Sequence, residues 1–309
     1  MNRLRKLNSG AIFIIVAALL WALDGVIRRK LYSLPPLNII FFEHLIGLII
    51  LLPFVWKIVV KESISKREWI LLIIVALLSG LLGTLWFTTA LLKVNFISFS
   101  VVFLLQKLQP IFAISSSAIL LKEKMSQKFV LWAVVALVSA YFVTFKDGIV
   151  NLSTGDGTII AALYALGASF AWGTSTTFSK MLLNKISTKT VTFYRFLLTS
   201  IMALLLIIIL KPISLHMPTI PQLGLFALIA VSTGMVALYL YYKGLKRTPV
   251  HITTILELTF PLIAILIDMK LYNSFLSVSQ IIATVILIFS IYKVAQLQNH
   301  KHAISQSSN

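Results

Sequence analysis

Long apolar stretches, separated by short polar segments, run along the whole chain. Stretches such as Ile12–Leu23, Ile70–Leu78 and Leu204–Leu210 contain no charged residue. An apolar helix of about 20 residues is long enough to cross the hydrocarbon core of a bilayer. The pattern predicts an all-α integral membrane protein with ten transmembrane helices, at about 10–28, 37–57, 69–91, 96–120, 128–146, 158–180, 189–210, 220–243, 251–270 and 277–295.

The two halves of the chain match each other at a constant offset of 151 residues, without a gap. The matched pairs are Trp21 with Trp172, His44 with Arg195, Gly83 with Gly234, Gln106 with Glu257, Pro110 with Pro261 and Ser126 with Ser277. Each half contains five predicted spans, so the second half must cross the membrane in the opposite direction. Inverted repeats are typical of secondary transporters, whose substrate site lies near mid-membrane where the repeats meet.

This repeat divides the chain into four segments. We predict a first five-helix repeat over 1–147, a polar, glycine-rich linker over 148–157, a second repeat over 158–296 and a disordered cytoplasmic tail over 297–309. Ser126 and Ser277 directly precede the fifth and tenth spans, where a serine hydroxyl can accept a hydrogen bond from a free backbone amide.

The composition indicates that the lipid bilayer surrounds almost the whole chain. Hydrophobic residues make up 59% of the sequence and charged residues only 12%, about half of the usual charged share in soluble domains. The first span follows Arg3, Arg5 and Lys6 and resembles a signal sequence, but no small-residue cleavage site follows it. We therefore expect this span to be retained.

The net charge of +18 reflects membrane topology rather than nucleic-acid binding. If the N-terminus is cytoplasmic, 18 of the 27 lysines and arginines lie on the cytoplasmic side and seven on the opposite side. Positive residues favour cytoplasmic loops. We therefore expect a protein of the cytoplasmic (inner) membrane with both termini in the cytoplasm. The cluster Arg28-Arg29-Lys30 is the local exception.

The chain has no pattern that predicts an enzyme. It contains no cysteine, which excludes disulfides and thiolate chemistry. It also has no nucleophile elbow, phosphate-binding glycine loop or metal-ligand cluster. We expect no cofactor and no metal, and no sequence feature specifies an oligomeric state.

Two prolines fall inside apolar spans at equivalent positions of the repeats. Pro110 lies in the fourth span and Pro261 in the ninth. A proline inside a helix removes one backbone hydrogen bond and bends the helix. A single such proline is explained by a packing kink, but the repeated pair favours two bends that let the helices gate a pathway.

Ionisable residues within the spans are few, and each is a candidate functional residue because a charge in the bilayer is costly. The candidates are Asp24, Glu43, His44, Lys107, Arg195 and Glu257. Lys107 lies about ten residues, or roughly 15 Å, from either end of its predicted span. Its side chain is too short to reach the headgroups, so it needs a buried carboxylate or an anionic ligand.

Helical spacing places several of these residues on shared faces. Phe103, Gln106, Lys107 and Pro110 share one face of the fourth span, and Thr253, Thr254, Glu257 and Pro261 share the equivalent face of the ninth. We expect both faces to line a central cavity. Trp21, Asp24 and Arg28 share one face of the first span. Asp24 is a candidate functional residue, but Asp24 and Arg28 can also form an ordinary ion pair one helical turn apart.

The hydroxyl-rich segment of the sixth span has a structural and a functional interpretation. Thr174, Ser175, Thr176, Thr177 and Ser179 follow Trp172. Small hydroxyl residues let helices pack closely and return hydrogen bonds to the backbone, which we favour. A polar cavity wall is the alternative.

Short motifs in matching positions resemble the EamA-type ten-helix transporters of the drug/metabolite transporter superfamily. They are Ala17-Ala18-Leu19-Leu20-Trp21-Ala22, Ser169-Phe170-Ala171-Trp172-Gly173, Gln109-Pro110, Phe260-Pro261 and Leu121-Lys122-Glu123-Lys124-Met125-Ser126. The resemblance covers about residues 10–295. It implies a secondary transporter of metabolites, often an exporter of amino acids or related compounds, whereas some relatives import or exchange nucleotide-like solutes.

We therefore expect a transporter with alternating access that exports a small metabolite, with protons as the candidate coupling ion. Substrate binding is assigned to Trp21, Phe103, Gln106, Lys107, Trp172, Arg195, Thr254 and Glu257. Coupling is assigned to Asp24, Glu43, His44 and Glu257, and gating to Pro110 and Pro261. An importer or exchanger of an anionic solute is the alternative within transport, and a membrane scaffold or lipid-handling protein is the alternative outside it.

Overall fold

The structure is a computed structural model that describes residues 9–94, 101–152, 157–210, 215–272 and 275–307. The basic residues Arg3, Arg5, Lys6 and Lys211 and the middle of the predicted linker, 153–156, lie outside the described residues.

Fourteen α-helices build the described part of the chain. They are α1 Ser9–Arg28, α2 Pro36–Val59, α3 Lys66–Val75, α4 Thr84–Lys93, α5 Val101–Gln106, α6 Gln109–Leu120, α7 Gln127–Thr144, α8 Thr158–Leu183, α9 Thr188–Ile209, α10 Ile220–Val231, α11 Met235–Arg247, α12 Val250–Leu256, α13 Thr259–Tyr272 and α14 Val278–Ser307. They form ten stretches that are long and apolar enough to cross a membrane, as the sequence predicts. The third, fourth, eighth and ninth spans each consist of two helices.

The predicted serine caps begin two of these helices. The backbone amide of Phe129 donates to Oγ of Ser126 over 3.2 Å, and the amide of Gln280 donates to Oγ of Ser277 over 3.4 Å. Each hydroxyl satisfies an amide that has no partner within its own helix.

The C-terminal segment differs from its prediction. The sequence predicts disorder over 297–309, but α14 continues to Ser307. No proline or glycine interrupts this stretch, and its leucine, glutamine, lysine and alanine residues are good helix formers. The tenth membrane-spanning stretch ends at Leu297, because the residues after it are polar, but the helix itself continues.

Helix packing follows the inverted repeat. The second span packs on the seventh, its repeat equivalent, through α2 and α9, and the fifth packs on the tenth through α7 and α14. The first span packs on α11 of the eighth, and the sixth packs equivalently on the helices of the third. We call the face that holds Ser9 and the turns 60–65, 121–126, 184–187 and 248–249 the terminal face, and the other the opposite face.

Pro110 and Pro261 coincide with two breaks in their spans. The fourth span is interrupted at Lys107 and Leu108, and the ninth at Glu257 and Leu258. Pro110 and Pro261 have no N–H to donate one turn back. At the second break, the amide of Phe260 donates to the carbonyl oxygen of Glu257 over 2.9 Å instead.

The third and eighth spans are irregular at a second pair of equivalent positions, which the sequence did not predict. A π-helical segment occupies Ala76–Gly83, and a turn at 232–234 separates α10 from α11. At Gly83 a Cβ atom would lie 2.5 Å from Nε1 of Trp172. The missing side chain lets this indole N–H donate to the carbonyl oxygen of Ser79 over 3.2 Å.

Candidate substrate cavity

Both repeats line a cavity of about 470 Å³ in the centre of the helix bundle. Its lining reaches Arg29, Tyr32 and Thr144 near the opposite face. Among the described residues, it includes none from the turns at the terminal face. The cavity therefore extends toward one side of the membrane and is closed toward the other.

All of the residues that the sequence nominates for binding, coupling or gating line this cavity. They are Trp21, Asp24, Glu43, His44, Phe103, Gln106, Lys107, Pro110, Trp172, Arg195, Thr254, Glu257 and Pro261. Thr253, which the helical-face argument also expects on the wall, is fully buried and does not line the cavity. The roles of the individual residues stay predictions.

Arg28 joins two carboxylates on the wall near the opposite face. Its Nε donates to Oδ2 of Asp24 over 2.6 Å, and its Nη1 and Nη2 donate to Glu43 over 2.7 and 3.1 Å. The hydroxyl of Thr233 donates to Oδ1 of Asp24 over 2.6 Å. The local ion pair that the sequence allows between Asp24 and Arg28 is present, within a larger network that ties the first span to the second and eighth.

The sequence analysis did not pair Arg28 with Glu43, although a signal exists. The two residues are equally distant from the Pro35-Pro36 turn between the first two spans. Consecutive spans that run in opposite directions place such residues at the same depth. This construction places Arg28 and Glu43 at a similar depth from the chain alone, while the bidentate geometry is seen only in the structure.

Glu257 has two hydrogen-bond donors at the break of the ninth span. The hydroxyl of Tyr241 donates to its Oε1 over 2.7 Å, and Nε2 of Gln109 donates to its Oε2 over 3.2 Å. Among the described residues, no lysine or arginine lies within 4.0 Å of this carboxylate. Gln109 was not predicted as a site residue, although an amide beside Pro110 in an apolar span is a usable signal.

Lys107, at the break of the fourth span, has no acidic partner among the described residues. No carboxylate of the described residues lies within 4.0 Å of its ammonium group. Its Nζ lies 5.8 Å from the centre of the Phe260 ring, a geometry of weak cation–π attraction. Oε1 of the neighbouring Gln106 is buried and accepts no hydrogen bond from the described residues.

Arg195 and His44 form a further polar part of the wall. Nη1 of Arg195 donates to the hydroxyl of Tyr242 over 3.1 Å, and its buried Nε has no hydrogen-bond partner among the described residues. Nδ1 of His44 lies 2.8 Å from the carbonyl oxygen of Ile40, and its ring centre lies 4.9 Å from that of Phe196.

Aromatic rings occupy much of the remaining wall. The Trp21 ring lies 5.0 Å from that of Tyr241, and the Phe87 ring lies 5.2 Å from Trp172 and 6.2 Å from Phe103. These distances fall in the range of favourable aromatic contacts. The ring pairs are tilted by 52° and 56° or meet edge to face at 88°, and they add apolar surface between the charged groups of the wall.

The hydroxyls of the sixth span serve mainly the structure. Thr174 and Thr176 donate to the carbonyl oxygens of Phe170 and Trp172, one helical turn earlier. Thr176 alone among the hydroxyl-bearing residues of this segment lines the cavity. The packing interpretation therefore accounts for most of the segment, although the buried Oγ of Ser175 has no hydrogen-bond partner among the described residues.

Polar contacts hold the terminal face closed below the cavity. The Glu123 carboxylate accepts hydrogen bonds from the amides of Val250 and His251 over 2.9 and 3.2 Å and contacts the His251 ring. Burial acts to raise the pKa of Glu123, but these hydrogen bonds outweigh it and hold the pKa below its ordinary value. Nζ of Lys180 donates to the carbonyl oxygens of Leu245, Lys246 and Thr248 over 2.7, 3.0 and 3.1 Å.

Known proteins resemble this chain over nearly its whole length. Residues 8–145 and 159–295 each match the EamA-like transporter family. The chain is 35% identical, over 292 residues, to the riboflavin transporter ImpX of Fusobacterium nucleatum, a match that covers 93% of this chain and 98% of that protein. A protein crystal structure with 17% identity has a TM-score of 0.73 and covers 94% of this chain and 98% of its own, a likeness of fold alone. The chain is thus a multi-pass membrane transporter that belongs to the EamA-like transporter family.

Proposed function

We propose that the chain is a secondary transporter that carries a flavin, riboflavin or a close chemical relative, across the cytoplasmic membrane. The observation that carries this proposal is the 35% identity to a riboflavin transporter over 98% of its length. This substrate replaces the amino acid expected from the family resemblance as the first candidate.

The form of the cavity supports a flat aromatic solute. Its volume of about 470 Å³ lies within the usual range of roughly 300–1,000 Å³ for small-molecule sites. Riboflavin consists of a planar three-ring system and a hydroxylated chain. The rings of Trp21, Phe87 and Tyr241 offer stacking surfaces, and amide and hydroxyl groups on the wall offer hydrogen bonds.

The asymmetry of the cavity, which extends toward one face only, supports alternating access as the mode of transport. The inverted repeats allow one half to rock against the other around a central site. With the predicted cytoplasmic termini, the present cavity faces outward. The same cycle serves export or import, because solute gradients set the net direction.

Glu257 is the residue that we propose for proton coupling. It is a cavity carboxylate with hydrogen-bond donors but, among the described residues, no basic side chain within 4.0 Å. Asp24 and Glu43 are bound to Arg28 instead. Protonation of Glu257 removes a charge without breaking an ion pair, which makes Glu257 the least constrained of the three predicted coupling carboxylates.

An amino acid remains the second candidate substrate because the wall offers charges of both signs. Lys107 suits an α-carboxylate, and Glu257 suits an α-ammonium group. This arrangement also matches the export activity that the family resemblance implies.

Counterflow in proteoliposomes tests the proposed function. Vesicles that hold the full chain and unlabelled riboflavin should transiently accumulate labelled riboflavin, and amino acids in excess should not compete. Phe87→Ala should reduce the initial rate, whereas Phe289→Ala, which alters a half-exposed ring outside the cavity, should not. Accumulation of a labelled amino acid, with no riboflavin counterflow from the same monodisperse protein, would establish the second candidate and reject the first.

A further inference from the structure

The acidic side chains on the cavity wall have hydrogen-bond donors from the protein, whereas the basic side chain of Lys107 has no acidic partner within the described part of the chain. All of the carboxylates that line it have donors: Asp24 binds Arg28 and Thr233, Glu43 binds Arg28, and Glu257 binds Tyr241 and Gln109 (these contacts are within the described residues). Lys107 has no carboxylate within 4.0 Å there. The wall therefore lacks negative charge at Lys107.

A lone lysine in a span is expensive unless something binds it. A charge at the centre of a membrane-spanning helix is costly, and such residues face a cavity or a partner. The Phe260 ring, 5.8 Å away, offers only a weak cation–π attraction. Packing within the chain thus does not compensate the Lys107 charge.

Arg195 is another basic residue of the cavity wall that has no carboxylate within 4.0 Å among the described residues. Its only side-chain hydrogen bond within the described residues goes to the neutral hydroxyl of Tyr242, and its Nε is buried without a partner. Lys107 and Arg195 come from different repeats. They can therefore both attract an anion in the cavity.

We propose that the preferred solute carries an anionic group, a carboxylate or a phosphate, and that Lys107 binds this group. The inference rests on the proposed transport function and narrows its substrate class. Among flavins, it favours riboflavin 5′-phosphate (flavin mononucleotide), whose phosphate carries about −1.5 to −2 charge at neutral pH, over uncharged riboflavin. The unpaired Oε1 of Gln106 accepts a hydrogen bond from an N–H or O–H group of the same solute.

Paired ligands that differ in one charge test this inference. Flavin fluorescence, titrated with the purified full chain, gives the dissociation constants of flavin mononucleotide and riboflavin. Wild type should bind the phosphorylated flavin at least about tenfold more tightly, a difference of about 1.4 kcal/mol. Lys107→Met should remove this preference and change riboflavin affinity by less than about twofold, within about 0.4 kcal/mol.

Two further variants separate a lost charge from a damaged fold. Lys107→Arg keeps the positive charge and should retain most of the preference. Lys146→Met removes an exposed lysine outside the cavity and should retain all of it. Equal binding of both flavins by wild type, or an unchanged preference in Lys107→Met, overturns the inference about the anionic group. Riboflavin counterflow would still support the proposed transport function in that case.

The converse result is also informative. If neither flavin binds, flavin transport is rejected, and the anion inference is decided by two other pairs. Glutamate against glutamine tests a carboxylate, and a nucleoside monophosphate against its nucleoside tests a phosphate. A preference for either anion that disappears in Lys107→Met supports the inference, and no preference in either pair overturns it.

Discussion

The two broken spans have nearly the same backbone and opposite chemistry. In the fourth span, α5 ends before Lys107, and Pro110 lies in the first turn of α6; in the ninth, α12 ends before Glu257, and Pro261 lies in the first turn of α13. The first break presents a cation without a carboxylate among its described neighbours, and the second a carboxylate held by two neutral donors.

This difference teaches which features the inverted repeat preserves and which it leaves free. Proline is kept in both halves because a bend is a property of the backbone. Under the proposed function, the charged side chains differ because a substrate and a coupling ion need different groups. We therefore expect substitutions at the prolines to act alike in both halves, and substitutions at the charged residues to act differently.

The largest effect is expected at the acidic break. Glu257→Gln keeps the shape and the hydrogen-bonding oxygen of the side chain but removes its ability to exchange a proton. The stimulation of flavin uptake by a pH gradient should fall at least about tenfold, since the coupling residue then has one charge state, while counterflow at equal pH should persist. Uptake into proteoliposomes with and without a pH gradient measures both.

Glu68→Gln is the matched control. Glu68 lies at the terminal face and caps α3, a role that glutamine also fills, so its pH response should equal that of wild type. If the Glu257→Gln variant responds fully to the pH gradient, proton coupling does not depend on Glu257. The proposed difference in role between Lys107 and Glu257 would then be wrong for Glu257.

A smaller and symmetric effect is expected at the two bends. Pro110→Ala and Pro261→Ala each restore a backbone N–H that can close a regular helix, so each should slow exchange several-fold, about threefold to tenfold, by hindering a gating motion. Pro53→Ala changes a proline inside α2 that does not line the cavity and should leave the exchange rate unchanged. An effect at only one of the two bends would show that the halves do not share the gating motion.

The smallest effect concerns the closed terminal face. Because folding lowers the pKa of Glu123, its stabilising contribution is present above the ordinary value of 4.5 and is lost as the pH falls through the lower folded value. Glu123→Gln should lower Tm at pH 7 by about 2–4 °C, the shift expected for a loss of roughly 1 kcal/mol.

Thermal unfolding of the purified chain between pH 7 and pH 3 measures this contribution. The difference in Tm between wild type and Glu123→Gln should shrink toward the acid end. A difference that is constant with pH would show that the Glu123 charge does not contribute to closure.

The sequence by itself determined the span count, the inverted repeat and part of the cavity wall, although Gln109 and Thr233 were not predicted. Hydropathy and helical periodicity are local properties, and the 151-residue offset relates the two halves without any knowledge of their packing. Lys107, Glu257 and the two prolines are therefore identified before any helix is placed. The family follows from the same information.

Only the tertiary structure decided which buried groups meet. Gln109 and Glu257 are 148 residues apart, and Thr233 and Asp24 are 209 apart, so no local pattern joins them. The hydrogen bond that Trp172 of the second repeat donates to Ser79, within the π-helical segment Ala76–Gly83, likewise joins residues far apart in the chain. Lys107 has no carboxylate within 4.0 Å among the described residues. This result depends on the packing of all the helices around Lys107, because the groups that neutralise a buried charge come from distant parts of the chain.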